Sequence, residues 1–561
     1  MPTQKIALRL TPLDLPLALF LLSAVFGLWP AYDRSLCWNT LIALAAGFFL
    51  YVVISRLAVP KRGWACLAIL AFLASVLLSL YFVTQYAHFG YAEKVGAIGR
   101  LGAWIGKFIP PVGRQAAVIW VPVANSVATF LEGMFFLAVA LALAARRWVW
   151  RIGGAIGAGL IGLALVLSAS RGAWLAVVVA SLVWLALYWR PARVVALLGA
   201  VVALGLVVYV VVRRDITVLG QIPIVNRTVA PLFIRPDRLD VYRTSLYLVQ
   251  DLPLTGIGLG GQFAMVQSRY ALLIQHPFLT YSHNLYLEVW LEQGLAGAVA
   301  WLWLMAALVQ AARTYARPES DFLYQGTWLG LTAIFVHGLS DARQYVDLWC
   351  WAPFFVLLGL NASIVLRRAP DQPRRRGWVA PAAVVGAFLV AALIGLHPLP
   401  ATLHANLGCV AQSRGDLPAS LDDGAQAALR QQAVDHYWRA TQIEPHNRTA
   451  QQRLGQILVD EGQFQQAVEH LEMAWQADPN NTTTRKALGL AYVWVGELDK
   501  AKPLLEGVPD IVSELNVWGW WRSTQQQAEQ SINAYRMSLV LDPDQPEVKE
   551  KLAQLEEGSV P

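Results

Sequence analysis

Charge is what this sequence has least of. Only 14% of its 561 residues are Asp, Glu, Lys or Arg, against about 25% in an ordinary soluble domain. A soluble protein of this size needs more charge to coat its surface, so an aqueous globular enzyme and a disordered chain are both excluded for most of the length. Cysteine is almost as scarce. Cys37, Cys66, Cys350 and Cys409 stand far apart with no CxxC pair, which argues against a zinc site and against a disulfide scaffold. No HExxH, P-loop, Gly-x-Ser-x-Gly or DxD-type metal pair stands out either, which argues against the commonest signatures of metal, nucleotide and serine-nucleophile chemistry. What is present is apolar: 56% of residues, 23 Trp among them, with a mean hydropathy of +0.45. The composition is that of a polytopic membrane protein.

Apolar runs of the roughly 20 residues needed to cross ~30 Å of hydrocarbon recur up to about residue 398. They fall near 14–33, 37–55, 63–86, 117–145, 152–169, 172–189, 194–212, 284–312, 325–340, 346–366 and 378–398, eleven in all. The Arg and Lys clusters at 56–62, 146–151, 190–193, 313–317 and 367–376 all follow even-numbered runs. The positive-inside rule then puts the N-terminus in the cytoplasm and everything beyond 398 outside. The first run is followed at once by others and closes on no A-x-A site, so it does not read as a cleaved signal. Two external segments are long, 87–116 and 213–283, and the second holds seven arginines.

Beyond about residue 400 the composition turns to Gln, Glu, Ala and Asp, and a 34-residue repeat emerges. Leu454-Gly455 returns as Leu488-Gly489, Gly462 as Gly496, Ala467 as Ala501 and Pro445 as Pro479. Ala433, Tyr437, Ala440 and Pro445 mark an earlier degenerate unit, and Gly519 to Pro543 a shortened last one. Small residues at these positions let antiparallel helices pack in stacked pairs. The tail thus resembles tetratricopeptide repeats, which bind peptides or partner domains; a rigid spacer is the alternative. The expected fold is all-α: a membrane domain over 1–398 with the large external loop 213–283, then an extracytoplasmic helical-repeat domain over 399–561.

Gly256-Ile-Gly258-Leu-Gly260-Gly261 matches GxGxxG, but it lies in an external loop and lacks the strand, helix and carboxylate of a dinucleotide site. It reads as a tight backbone turn or a close approach to substrate. A more telling group is Tyr281-Ser282-His283-Asn284 at the entry to the eighth run, followed by Glu288, Glu292, Gly294 and Gly297. Histidine accepts a proton near neutrality, and at the external boundary it could deprotonate an acceptor hydroxyl. Glu288 and Glu292 are one helical turn apart in a membrane segment, where carboxylates are costly; the plainer reading has them capping and bonding one another. Upstream, Arg235, Arg238 and Arg243 bring three guanidinium groups to a membrane face, suited to phosphate oxygens, or else paired with Asp237 and Asp240. Arg171, in the turn Ser168-Ala-Ser170-Arg171-Gly-Ala-Trp174, calls for an anionic partner or a polar helix end. His337 and Asp341, one turn apart, could relay a proton but are too few for a metal site.

At these residues the sequence resembles the bacterial O-antigen ligase and polymerase superfamily. The ligase pattern H-[N/S/Q]-x9-G-x-x-[G/T/Y] is met by His283, Asn284, Gly294 and Gly297. Ser170-Arg171-Gly172-Ala-Trp174 matches S-R-G-x-W, and Arg238-Leu239…Tyr242…Pro253…Gly256-Ile-Gly258 matches R-L-x-x-W…P-x-x-G-x-G with Tyr in place of Trp. Asn125, Ala128, Phe130 and Leu131 match an early N-x-x-A-x-F-L. The resemblance spans about 15–370 and implies a GT-C-like membrane bundle in the bacterial inner membrane. It also implies an inverting, metal-independent transferase with no cofactor, taking an undecaprenyl-pyrophosphate-linked glycan to a sugar, lipid or protein hydroxyl. His283 would be the base and Arg238, or Arg235 by a looser spacing, the residue at the leaving pyrophosphate. Arg243 and Arg171 would add phosphate contacts, with Asn284, Glu288, Glu292 and Asn125 in support. A ligase is the leading expectation. A polymerase, a protein O-oligosaccharyltransferase and, less favoured, a lipid-glycan transporter or scaffold stay open. Membrane lipids and a protein bound by the tail are the other expected partners; nucleic acid is not.

Overall fold

A computed structural model describes residues 10–89, 96–108, 120–213, 236–315, 322–368 and 379–557. Among these residues the regular structure is helical throughout. Two compact units emerge. One takes residues up to 246 with 255–264 and 279–392; the other takes 247–254, 265–278 and the chain from 393 onward.

In the first unit six helices are long and apolar enough to cross a membrane: Cys37–Leu57, Lys61–His88, Ala124–Ala144, Trp148–Leu167, Leu285–Thr314 and Leu348–Arg368. Each of these coincides with one of the expected runs. The described residues do not confirm the count of eleven, and two of the other expected runs form shorter helices. Asp14–Phe26 spans 13 residues and Phe322–His337 spans 16, about 20 and 24 Å at ~1.5 Å per residue. The first stops where Gly27 packs against the backbone of Glu292, leaving 2.6 Å between a would-be Cβ and that carbonyl oxygen. The other stops because the chain turns at Gly338, whose carbonyl accepts from Leu285 N at 2.7 Å. These two interruptions build the candidate site.

Close helix contact in this unit rests on small residues, as expected where apolar lipid offers no drive to association. Gly133 and Gly330 face each other: a Cβ on Gly330 would lie 2.5 Å from the Gly133 carbonyl oxygen. Ala124–Ala144 and Phe322–His337 therefore meet backbone to backbone, and Glu132 comes beside His337. A cluster of rings, Trp301, Trp351, Phe335, Phe354 and Phe20, with centroids 5.3–6.2 Å apart, fills the middle of the unit.

The second unit stacks helix pairs. Arg448–Asp460 pairs with Phe464–Ala477, Thr482–Trp494 with Leu498–Leu505, and Ile511–Thr524 with Ala528–Leu541. In each pair a first-helix glycine lies on a side chain 16 positions later: Gly455 on Leu471, Gly489 on Leu505, Gly519 on Tyr535. The earliest pair, Leu399–Asp416 and Asp423–Ile443, packs in the same way but at a longer offset, with Gly408 on Tyr437. Asp422, Asn447 and Asn481 cap the helices that follow them through their side-chain oxygens, each worth about 1 kcal/mol.

Residues 247–254 and 265–278 are built into this unit by polar contacts. Leu254 N donates to Asn406 Oδ1 at 2.9 Å, and Thr483 Oγ1 and Lys486 Nζ donate to the carbonyls of Ala271 and Leu272 at 2.6 and 3.0 Å. Asp251 is buried and takes Arg448 at 2.5 Å, Thr449 Oγ1 at 3.0 Å and the buried Arg453. The Arg453 guanidinium also covers the Tyr270 ring at 4.2 Å. Burial opposes ionisation of Asp251, but the two guanidinium groups outweigh it and hold the carboxyl below its usual range. Such a group stabilises the fold above its unfolded pKa of about 4, and the contribution is lost as pH falls through the lower folded value. Asp251→Ala should therefore cost about 3–5 kcal/mol at pH 7, since it strands Arg453 without its partner. The deficit against wild type should shrink below about pH 4. Thermal unfolding of the detergent-solubilised protein across pH 3–7 checks both.

Candidate functional site

The turn ahead of the long helix Leu285–Tyr315 is fixed by its own sequence. Asn284 Oδ1 accepts from Tyr286 N and Leu287 N at 3.0 and 3.1 Å, capping the helix, while Asn284 Nδ2 donates to the Leu339 carbonyl at 3.0 Å. Ser282 donates twice to Glu288 Oε2, from its backbone N at 2.7 Å and its hydroxyl at 2.5 Å. Between these two anchors His283 sits at φ +55°, a left-handed conformation that costs a non-glycine residue roughly 1 kcal/mol or more. Tyr242 adds a third restraint, its hydroxyl donating to the His283 carbonyl at 3.1 Å.

Glu292, one turn after Glu288, accepts from Gly260 N at 2.9 Å. Gly256, Gly258, Gly260 and Gly261 all have positive φ, and a Cβ at Gly258 would lie 2.5–2.7 Å from Ala31 atoms. The GxGxxG run is thus a tight backbone turn. Gly294, with φ +63° and ψ −162°, breaks the helix two residues past Glu292.

Opposite His283 stands Asp341, in the turn after Phe322–His337. Its Oδ1 accepts from Tyr281 OH at 3.0 Å and from Ala342 N at 2.9 Å, and its Oδ2 from Asn125 Nδ2 at 3.2 Å. His283 Nδ1 lies 3.8 Å from Asp341 Oδ1, too far for a hydrogen bond, and is buried with no other partner among the described residues. The Tyr281 and His283 ring centroids are 4.0 Å apart, and the Arg343 guanidinium lies over the Tyr281 ring, 5.3 Å from its centroid. Below them His337 Nδ1 is 2.8 Å from Glu132 Oε2.

Burial works against the charge on Asp341, yet the neighbouring His283, His337, Arg343 and Arg238 hold its carboxyl well below the usual range. Tyr281 is driven the other way, first by burial and then by that carboxylate. Tyr242 is pushed up to about 12, chiefly by burial. The site therefore presents an anionic carboxylate, two neutral phenols and one imidazole whose Nδ1 faces the carboxylate.

The arginines divide. Arg238 Nη1 donates to the Ser340 carbonyl at 2.6 Å, next to Asp341 in sequence. Arg171 opens the helix Arg171–Tyr188, exposed, and its neighbour Gly172 packs so tightly on Ser340 and His337 that a Cβ would lie 3.0 Å from the His337 Nε2. Both arginines thus stand at the same 337–341 turn. Arg243 instead pairs with Asp240 at 2.6 Å, the internal pairing the sequence also allowed. Arg235 lies outside the described residues. His283, Arg238, Asn284 and Asn125 are brought together, and Glu288 and Glu292 brace the backbone beside them. Sequence reasoning passed over Arg343 and Glu132, gave Tyr281 no role beyond its place beside His283, and tied Asp341 to His337 and not to His283. A carboxylate in mid-span at Glu132 and the charged Ser340-Asp341-Ala-Arg343 turn between apolar runs were the signals available. Among the described residues no three His, Cys, Asp or Glu side chains gather as a metal would need.

The bracing is testable apart from any activity. Glu288→Ala removes the acceptor of two buried Ser282 donors, each worth about 1–3 kcal/mol when orphaned. Thermal stability should fall, and amide hydrogen exchange at 282–284 should rise while that of 125–140 is unchanged.

Known proteins bear on this geometry through two family models. No curated protein matches the chain. Residues 458–514 match the model described as tetratricopeptide repeat, and residues 156–302, which carry Arg171, Arg238 and His283, match the model described as O-Antigen ligase.

Proposed function

We propose that the protein is a membrane glycosyltransferase that moves a glycan from an undecaprenyl-pyrophosphate carrier to an acceptor hydroxyl, in the manner of an O-antigen ligase. The observation that carries this reading is the meeting of His283 and Arg238, both within the segment that matches the ligase family, at the Ser340-Asp341 turn. In the reaction the acceptor oxygen attacks the anomeric carbon as its proton passes to His283 Nε2. The bond from that carbon to the diphosphate oxygen breaks, configuration inverts, and the lipid diphosphate leaves with the electron pair.

Each side chain has a definite part. Asp341 faces Nδ1 of His283 and stabilises the imidazolium that forms. Tyr281 and Asn125 keep that carboxylate in place by donating to it. Arg238 and Arg171 flank the diphosphate and stabilise charge as it departs, with Arg235 and Arg243 as further contacts. A diphosphate is already a good leaving group, so a base and guanidinium groups suffice chemically without a metal or cofactor. The Arg and Lys distribution supports reading this site, and the repeat unit, as external to the bacterial inner membrane.

The same chemistry serves a polymerase or a protein O-oligosaccharyltransferase, which differ only in the acceptor. His283→Ala should lower transfer by about 10²–10⁴-fold while the protein inserts and folds normally. Arg238→Lys should also cost most of the activity, because lysine keeps the charge but loses the planar fork. Gel analysis of surface glycans in a deletion strain complemented with each allele reads both. Full-length glycan stranded on its lipid carrier indicates a ligase or protein-directed transferase, single repeat units a polymerase. An unaltered pattern with His283→Ala removes His283 from the mechanism.

A further inference from the structure

The repeat unit contains a cavity of about 580 Å³, within the ~300–1,000 Å³ typical of small-molecule sites. Indole rings, aliphatic side chains and a few polar groups line it. Trp494, Trp518 and Trp521 surround the Arg522 guanidinium, which lies 4.9–5.7 Å from their centroids, and Trp520 stands at the wall 56% exposed. Three polar groups on the lining lack partners among the described residues. Both atoms of the Gln456 carboxamide are buried and unbonded, in a residue only 8% exposed. Glu514 Oε1 is likewise unbonded, though its other oxygen meets Lys486 Nζ at 2.6 Å. Arg522 Nε has no partner either. Leaving such groups unsatisfied costs about 1–3 kcal/mol each, a penalty that a ligand of the right chemistry would relieve.

We infer that this cavity binds a short oligosaccharide. A pyranose has an apolar C–H face that stacks on an indole and a rim of hydroxyls that both donate and accept. Gln456 offers one donor group and one acceptor side by side, which suits two adjacent hydroxyls. Glu514 Oε1 accepts from a third. A peptide is the competing occupant, and the nonapeptide arm of the test below separates the two. The choice of sugar as occupant rests on the proposed glycan transfer; the cavity, the rings and the unpaired groups do not.

The test is isothermal titration calorimetry on the full-length protein in detergent. The probe is the pool of short oligosaccharides released by mild acid from the surface glycan of cells that carry the chain. Saturable binding is expected, and Trp520→Ala should weaken it about tenfold with no change in thermal stability, since that ring is largely exposed. Gln456→Leu should weaken it comparably. It should also keep or raise stability, because the buried carboxamide it removes has no partner. No binding up to millimolar concentration, binding indifferent to both variants, or saturation by a pool of random nonapeptides in place of the sugars would each overturn the inference. His283→Ala protein should bind the oligosaccharides as wild type does. Binding retained while cellular transfer proves independent of His283 would sink the transferase reading and leave this one standing.

Discussion

A charged carboxylate in an otherwise apolar bundle has to be paired, and the arrangement around Asp341 follows from that requirement. Lipid and apolar side chains offer it no solvation, so donors must be delivered by the chain. Asn125 comes from the start of Ala124–Ala144, Tyr281 from the turn before Leu285–Tyr315, and Ala342 N from the turn itself. Those three lie on three different segments. Their convergence fixes where the helices begin and end: Phe322–His337 stops short, Gly338 gives its carbonyl to Leu285, and Leu339 gives its own to Asn284. The Gly133–Gly330 contact serves the same end by bringing these two helices to backbone distance.

Hydropathy sufficed to find the long helices, because a run of 20 apolar residues has few other uses. What it could not report is visible at Gly27 and Gly338, where a helix ends early to let the backbone meet another segment. Nothing in a local window reports that. The repeats were legible wherever the 16-residue offset from glycine to its partner persisted. Leu407-Gly408 escaped because Tyr437 follows it by 29 positions, after a longer loop and helix, although the packing is the same. The site was half legible. His283, Asn284 and Arg238 sit in local motifs, and Asn125 in another. The relation that joins them passes through Asp341, 216 residues from Asn125, and no spacing rule encodes a contact of that range. Asp240 was visible as a competitor for the arginines, and it takes Arg243; only geometry divides Arg243 from Arg238.

Two buried aspartates in the same chain show what separates a structural acid from one suited to chemistry. Asp251 is saturated. Two guanidinium groups and a hydroxyl occupy its oxygens, its neighbours are fully charged, and moving a proton there would forfeit several favourable pairings at once. Asp341 is ionised by similar means but bonded differently. The donors that touch it are neutral, a phenol, a carboxamide and a backbone N–H, while the charged groups stand further off and the His283 imidazole waits at 3.8 Å.

That gap has a physical consequence. A carboxylate committed to neutral donors still gains from a cation beside it, and the imidazole that faces it at 3.8 Å is the group that would become one in the proposed reaction. An imidazole locked to the carboxylate in advance would have little left to gain. The strained backbone at His283, held by Ser282, Asn284 and Tyr242, keeps the ring at this intermediate distance. The hydrogen bonds that Ser282, Asn284 and Tyr242 make offset the cost of that strain. This combination of a satisfied acid, an unsatisfied base and a braced turn is the reason the transfer chemistry is proposed at Asp341 and His283 and not at the more conspicuous cluster of charge around Asp251.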